Sequence, residues 1–208
     1  MSTLTLPAST QAVIFDCDGV LVDSWNAGKF FFNSMRQAVG LGPLSPEEEA
    51  ACFVRTIPES LDMIIPPDRR EQADQAWKSF DLNEILDLIR PHEGVADLLE
   101  RLQNAGKGLA VCTNGGAEQH TILERHGLLG FFDLLITTED VARGKPWPDG
   151  VETILRHFRI RPEQAVYIGD SAVDQRTARN ANVPFWAYAD PTLEAGAHIR
   201  HFADVRLP

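Results

Sequence analysis

Short apolar runs alternate along this chain with longer segments in which apolar residues recur every three or four positions. Residues 12–15 (AVIF), 109–112 (LAVC), 134–137 (LLIT), 165–168 (AVYI) and 184–187 (PFWA) are almost continuously hydrophobic. Strands buried on both faces of a parallel sheet read this way. Between them the spacing predicts amphipathic helices over 94–105, 117–126, 151–158 and about 174–181. In the first of these Val95, Leu98, Leu99 and Leu102 share one face, and Gly106 is placed to end it. Strands alternating with helices imply right-handed crossovers and an α/β fold, a doubly wound, Rossmann-like parallel sheet.

One stretch departs from this rhythm. From about Asp23 to Arg90 no strand is evident, and helical segments are predicted over 30–39, 46–53, 59–65, 70–80 and 82–89, punctuated by Gly40, Gly42, Pro43, Pro58, Pro66 and Pro67. A segment of this length is not a plain loop in a compact domain. It reads as a small α-helical insertion after the first strand. The expected division is residues 1–22 and 91–208 as the α/β core and 23–90 as the inserted unit. Residues 190–208 carry too little pattern to place.

Composition narrows the functional classes. The 208 residues hold 19 Lys plus Arg against 30 Asp plus Glu, a net charge of −11. Nucleic-acid polymers and anionic membranes want clustered positive charge, so neither is an expected partner. No apolar run approaches a membrane span, and MSTLTLPAST lacks the basic start and apolar stretch of a signal peptide. A cytoplasmic address is the expectation. Cys17, Cys52 and Cys112 show no CxxC spacing and read as buried thiols.

The candidate chemistry follows the strands, where open α/β sheets hold their ligands. DCDGVLVDS occupies 16–24, TNGG 113–116, Lys145 and Pro146 sit on the loop after the third strand, and GDSAVD occupies 169–174. Asp16, Asp18 and Asp170 in one crevice would repel one another unless a cation neutralised them, and Mg2+ takes oxygen ligands of this kind. Lys145 adds positive charge. Thr113 and the backbone N–H groups of Asn114, Gly115 and Gly116, at a helix start, form an expected anion cradle. Together they suit a phosphoryl group. Singly each motif has a bland explanation as a cap, turn or solvated charge. Their order, each beyond a predicted strand, favours the combined reading.

With these motifs on the page the sequence resembles the haloacid dehalogenase (HAD) superfamily, in its phosphoglycolate phosphatase and β-phosphoglucomutase-like branch, over residues 12 to about 189. The resemblance implies that Asp16 is the nucleophile that becomes an aspartyl-phosphate. Asp18 is then the general acid and base, Thr113 and Asn114 hold the phosphoryl oxygens, and Lys145 steadies the nucleophile. Asp170 ligates Mg2+ with the Asp16 carboxylate and the Asp18 main-chain carbonyl, and Asp174 supports the metal from a second layer. The insertion then corresponds to a cap that closes over the substrate and reads the leaving group. Arg55, in CFVRTIP at 52–58, is the candidate there for reaching a substrate anion. The implied activity is Mg2+-dependent hydrolysis of a small phosphorylated metabolite. The alternatives are a phosphomutase acting on a sugar phosphate, disfavoured because the first insertion helix lacks the histidine usual in that branch, and a non-turnover phospho-acceptor, disfavoured by Asp18.

Overall fold

The structure is a computed structural model that describes residues 4–208. The chain forms β1 (Leu4–Thr5), β2 (Ala12–Phe15) and β3 (Val22–Asp23), then α1 (Trp25–Ala38), α2 (Pro46–Phe53), α3 (Ile57–Ile64), α4 (Arg70–Lys78) and the short α5 (Asn83–Leu86). After β4 (Arg90–Pro91) come α6 (Val95–Asn104), β5 (Gly108–Cys112), α7 (Glu118–Arg125), β6 (Leu134–Ile136) and α8 (Asp149–Phe158). The last elements are β7 (Ala165–Gly169), α9 (Ala172–Asn180), β8 (Phe185–Tyr188), β9 (Ala197–Ile199) and β10 (Val205–Arg206). No helix among the described residues is long and apolar enough to cross a membrane.

Two compact units result, one of residues up to Val22 with Pro91–Pro208, the other Asp23–Arg90. The first is built on a six-stranded sheet of order β6-β5-β2-β7-β8-β9 in which every pairing is parallel. Ala12 of β2 lies beside Gly108 of β5 on one side and Ala165 of β7 on the other. Every residue of β2, β7 and β8 is buried, which accounts for their unbroken hydrophobicity. Because the chain runs outward from β2 in both directions, the carboxyl ends of β2, β5 and β7 flank a topological switch point.

In the helical unit the core gathers Phe31, Phe32, Met35, Leu61, Ile64 and Ile65. Capping boxes start two of its helices. Ser45 Oγ accepts from Glu48 N and Glu48 Oε2 from Ser45 N at α2, and Thr56 and Glu59 do the same at α3. Arg36 ties the unit together, donating to the Gly42 carbonyl at 2.6 Å and to Glu48 at 3.2 Å.

Most departures from the sequence expectation lie at element ends. α1 begins at Trp25 rather than Phe30, with Gly28 inside the helix at a point where a Cβ would meet the Phe53 ring at 3.8 Å. α3 begins at Ile57, since Pro58 is tolerated in a first turn whose backbone N–H groups need no helical partner. The unplaced C-terminal segment supplies β9, which pairs with β8, and β10, which pairs with β1 in parallel. Arg101 fastens it by donating to the carbonyls of Val205 (2.8 Å) and Phe202 (3.3 Å).

Candidate active site

Each strand end delivers one polar group to the switch point. Asp16 follows β2 directly, and its backbone N–H still bonds the Ile168 carbonyl of β7 at 2.9 Å, so its carboxylate starts from the rigid sheet. Asp16 Oδ1 accepts from Cys17 N at 2.7 Å and faces Lys145 Nζ at 2.8 Å. The same ammonium lies 2.6 Å from Asp174 Oδ1. Lys145 is held there through its backbone, because the Asn114 carboxamide accepts its N–H (2.7 Å) and donates to its carbonyl (3.1 Å).

Asp174 is wholly buried and heavily bonded. Besides Lys145, its Oδ1 lies 3.1 Å from the Tyr167 hydroxyl, while Oδ2 accepts the N–H and the hydroxyl of Ser171. Ser171 and Asp174 also form the capping box that opens α9. One residue thus starts a helix and anchors the lysine, which suits Asp174 to a supporting place.

The electrostatics follow from burial. Desolvation raises the Asp16 carboxyl well above the ordinary range, and the Asp174 charge adds to the rise while Lys145 opposes it. Asp170 is pushed up to about 7 by the same causes, burial first and then Asp174. Burial works against the charge on Lys145, but Asp16 and Asp174 outweigh it and hold the ammonium above the usual lysine range. The Cys112 thiol, at the end of β5, is raised to about 12 by burial and is inert there.

Asp16, Asp170 and Asp174 each present a carboxylate oxygen, all within 4.8 Å of one another. One cation per pocket of crowded carboxylates is the arrangement that lets them stay ionised at neutral pH, so the donor set fits a hard divalent ion. Gly19 reinforces the fit. Its φ is +80°, and a Cβ there would lie 2.0 Å from Asp170 Oδ2. Asp170 can therefore lean against the backbone that follows Asp18 only because residue 19 has no side chain. Gly19→Ala is expected to lower stability by about 1–2 kcal/mol through the positive φ. By pushing Asp170 out of the carboxylate cluster it should also raise the Mg2+ concentration for half-activation at least about tenfold. A metal titration of activity, beside a denaturant melt, checks both; an unchanged metal requirement contradicts this place for Asp170.

The expected anion cradle is narrower than the sequence suggests. Gly115 N donates to Thr113 Oγ1 (3.0 Å), Gly116 N to Glu118 (2.7 Å) and Ala117 N to Glu139 (3.1 Å). These carboxylates satisfy the helix start internally, so the donors left to an incoming anion are the Thr113 hydroxyl and the Asn114 N–H. Arg55 belongs to the helical unit, exposed, with its guanidinium turned back onto the Ala51 carbonyl. That unit has a shallow cleft of its own, lined by Trp25, Phe53, Phe32 and the Lys29–Glu49 pair among others. Trp147 is half exposed in the α/β unit, with the Arg143 guanidinium 4.2 Å above its ring.

Ser171, which the sequence reading set beside Asp174, does bond it, whereas Tyr167 escapes that reading as a partner of Asp174. A hydroxyl inside the apolar run of β7 is the signal that carries it.

The family model for haloacid dehalogenase-like hydrolases matches residues 13–188. The chain belongs to that family. Among its relatives is a phosphoglycolate phosphatase from Rhodobacter capsulatus, 29% identical, with 93% of this chain and 92% of that one covered. Pyrophosphatase PpaX from Oceanobacillus iheyensis is 26% identical over 87% of this chain and 84% of its own. A crystal structure of a HAD-superfamily hydrolase of subfamily IA, variant 1, from Geobacter sulfurreducens aligns with TM-score 0.77 at 32% identity, covering 95% of both chains. As a haloacid dehalogenase-like hydrolase, the chain has its Asp16, Thr113, Lys145 and Asp170 at the strand ends and loops of the parallel sheet that carries the family's matched region.

Proposed function

We propose that this hydrolase is a Mg2+-dependent phosphatase that cleaves a small phosphomonoester through an aspartyl-phosphate on Asp16. The observation that carries the reading is the grip of Lys145 Nζ and Cys17 N–H on a single oxygen of Asp16, with Asp18 two residues further on. Those donors orient the carboxylate and leave its other oxygen, Oδ2, as the attacking atom.

In the first step Asp16 Oδ2 bonds to phosphorus in line as the bond to the leaving oxygen breaks, and Asp18 gives that oxygen its proton. In the second, the Asp18 carboxylate takes a proton from water. The water oxygen attacks phosphorus, the bond to Asp16 breaks, and inorganic phosphate leaves with Asp16 restored. Phosphoryl transfer of this kind asks for positioning and charge stabilisation more than for covalent chemistry. Lys145, the Thr113 hydroxyl and the Asn114 N–H supply fixed positive density to the phosphoryl oxygens. Bound Mg2+, held by Asp16, Asp170 and the Asp18 carbonyl, would neutralise charge on the phosphoryl group and among the carboxylates.

The naming of relatives as phosphatases supports the reaction class. Selection among esters is assigned to residues 23–90, read as a cap. Their cleft offers the Trp25 and Phe53 rings, which pack on each other with centroids 4.9 Å apart, and an ion pair beside the organic part of a small ester. The test is phosphate release from a panel of phosphomonoesters with and without Mg2+. Metal-dependent release from small esters is expected; no release from any of them overturns the proposal.

A further inference from the structure

Gln119 has no part in the reaction as derived above, yet its side chain is a partner of the residue assigned to move the proton. It lies in the first turn of α7 and is 3% exposed. Its Nε2 donates to Asp18 Oδ2 at 2.9 Å, across 101 residues of sequence. The approach depends on Gly115, where a Cβ would stand 2.3 Å from Nε2 and 2.6 Å from Cγ. The loop that holds Thr113 is thus shaped around this amide. At its other end, Gln119 Oε1 is buried with no hydrogen-bond partner among the described residues. Burying an amide half satisfied is unfavourable, and an apolar side chain of the same length would avoid it. The feature calls for a use of the donating end.

We infer that Gln119 is the positioning residue of the acid–base step, fixing which oxygen of Asp18 carries the proton. An amide N–H can only donate, so Oδ2 remains an acceptor whether Asp18 is ionised or protonated. A proton on Asp18 is confined to Oδ1, and rotation of the carboxyl is checked by a bond to a buried side chain of α7. The inference rests on the phosphatase reading, because only there does Asp18 deliver a proton to a leaving oxygen. Gln119 touches neither phosphorus nor the leaving group; it acts through Asp18.

The test compares two esters in the full-length protein with Mg2+, wild type against Gln119→Met. Nitrophenolate departs without a proton, whereas an alkoxide needs one, and kcat/KM reports the step that forms the aspartyl-phosphate. Gln119→Met is expected to lower kcat/KM for an alkyl monophosphate by about 10- to 100-fold, part of the factor a general acid supplies, and for p-nitrophenyl phosphate by less than about threefold. Hydrolysis of the shared intermediate should slow for both, so kcat falls on either ester. The melting temperature should hold or rise, since the orphan carbonyl is removed, whereas a structural role predicts a lower one. An equal fall in kcat/KM on both esters, no fall, or a loss of melting temperature overturns the inference. Gln119→Leu repeats the measurement should the methionine variant not fold. If wild type releases phosphate from neither ester, the phosphatase reading fails; if it cleaves both and the variant keeps their ratio, that reading stands and the role of Gln119 falls.

Discussion

Lys145→Met is expected to be among the most destabilising single changes in the α/β unit, at about 3–5 kcal/mol at pH 8, the range for removing one partner of a buried ion pair. The ammonium lies within 2.8 Å of Asp16 and 2.6 Å of Asp174, in a place where all three side chains are nearly or wholly out of solvent. Methionine matches the stem but leaves the carboxylates facing each other without a cation. For a chain of this size the melting temperature should fall by about 10 °C. The sign of the pH dependence follows from Asp16 and Asp170, whose carboxyls are already raised by burial and by Asp174, with Lys145 opposing. Without that opposition both rise further. A carboxyl raised in the folded state favours folding while protonated, and that contribution is lost as pH climbs through its folded value. The deficit of Lys145→Met against wild type should therefore grow from pH 5.5 to pH 8. Denaturant midpoints of the metal-free proteins at the two pH values decide it, and a deficit that shrinks with pH would count against the buried triad. Adding Asp174→Asn should restore part of the stability and none of the activity.

Asp16→Asn should produce the opposite pairing of effects. The amide can keep its oxygen toward Lys145 and Cys17 N–H, so the fold is retained, and the burial of a disfavoured charge is relieved. Stability at pH 8 should hold or increase. What replaces Oδ2 is an amide nitrogen with no free electron pair for phosphorus, and turnover should drop by at least about 10⁴-fold, in keeping with the loss of a nucleophile elsewhere. A stable protein with activity within tenfold of wild type would remove Asp16 from the nucleophile's role. Comparing the two variants separates chemistry from structure, since Lys145→Met loses both while Asp16→Asn loses only one.

The sheet was legible because burial on both faces leaves little choice of residue. The run 12–15 coincides with β2, and the runs at 109 and 165 differ from β5 and β7 by one residue at an end. The strands that escaped are short. β9 has three residues and β10 two, too few for any period to show, and what holds β10 is its partner β1 and Arg101, not its own composition. The same division applies at the site. Asp16, Lys145 and Asp170 stand in motifs whose residue types only make sense together. Asn114 is read from sequence as a phosphate ligand through its backbone N–H; what local sequence does not encode is that its side chain braces the Lys145 backbone, a contact spanning 31 residues. Gln119 escaped for the same reason. A glutamine in the first turn of a helix is ordinary until the Asp18 carboxylate and the bare backbone of Gly115 are seen on either side of it.

The placement of β2 in the middle of the sheet has a consequence for synthesis. The strand that carries Asp16 is made almost first, yet its neighbours are β5, which follows the whole helical segment, and β7, which starts only at Ala165. Until the ribosome has passed β5, β2 is an apolar ribbon with neither edge paired, and one edge stays open until β7 is made; the wait is long because such distant contacts close slowly. The first acidic residue in the chain is thus among the last to reach its working position. A chain broken off before β7 would hold Asp16, Asp18 and Lys145 but lack Asp170, Asp174 and the strand that fixes them, and such a fragment would be catalytically silent.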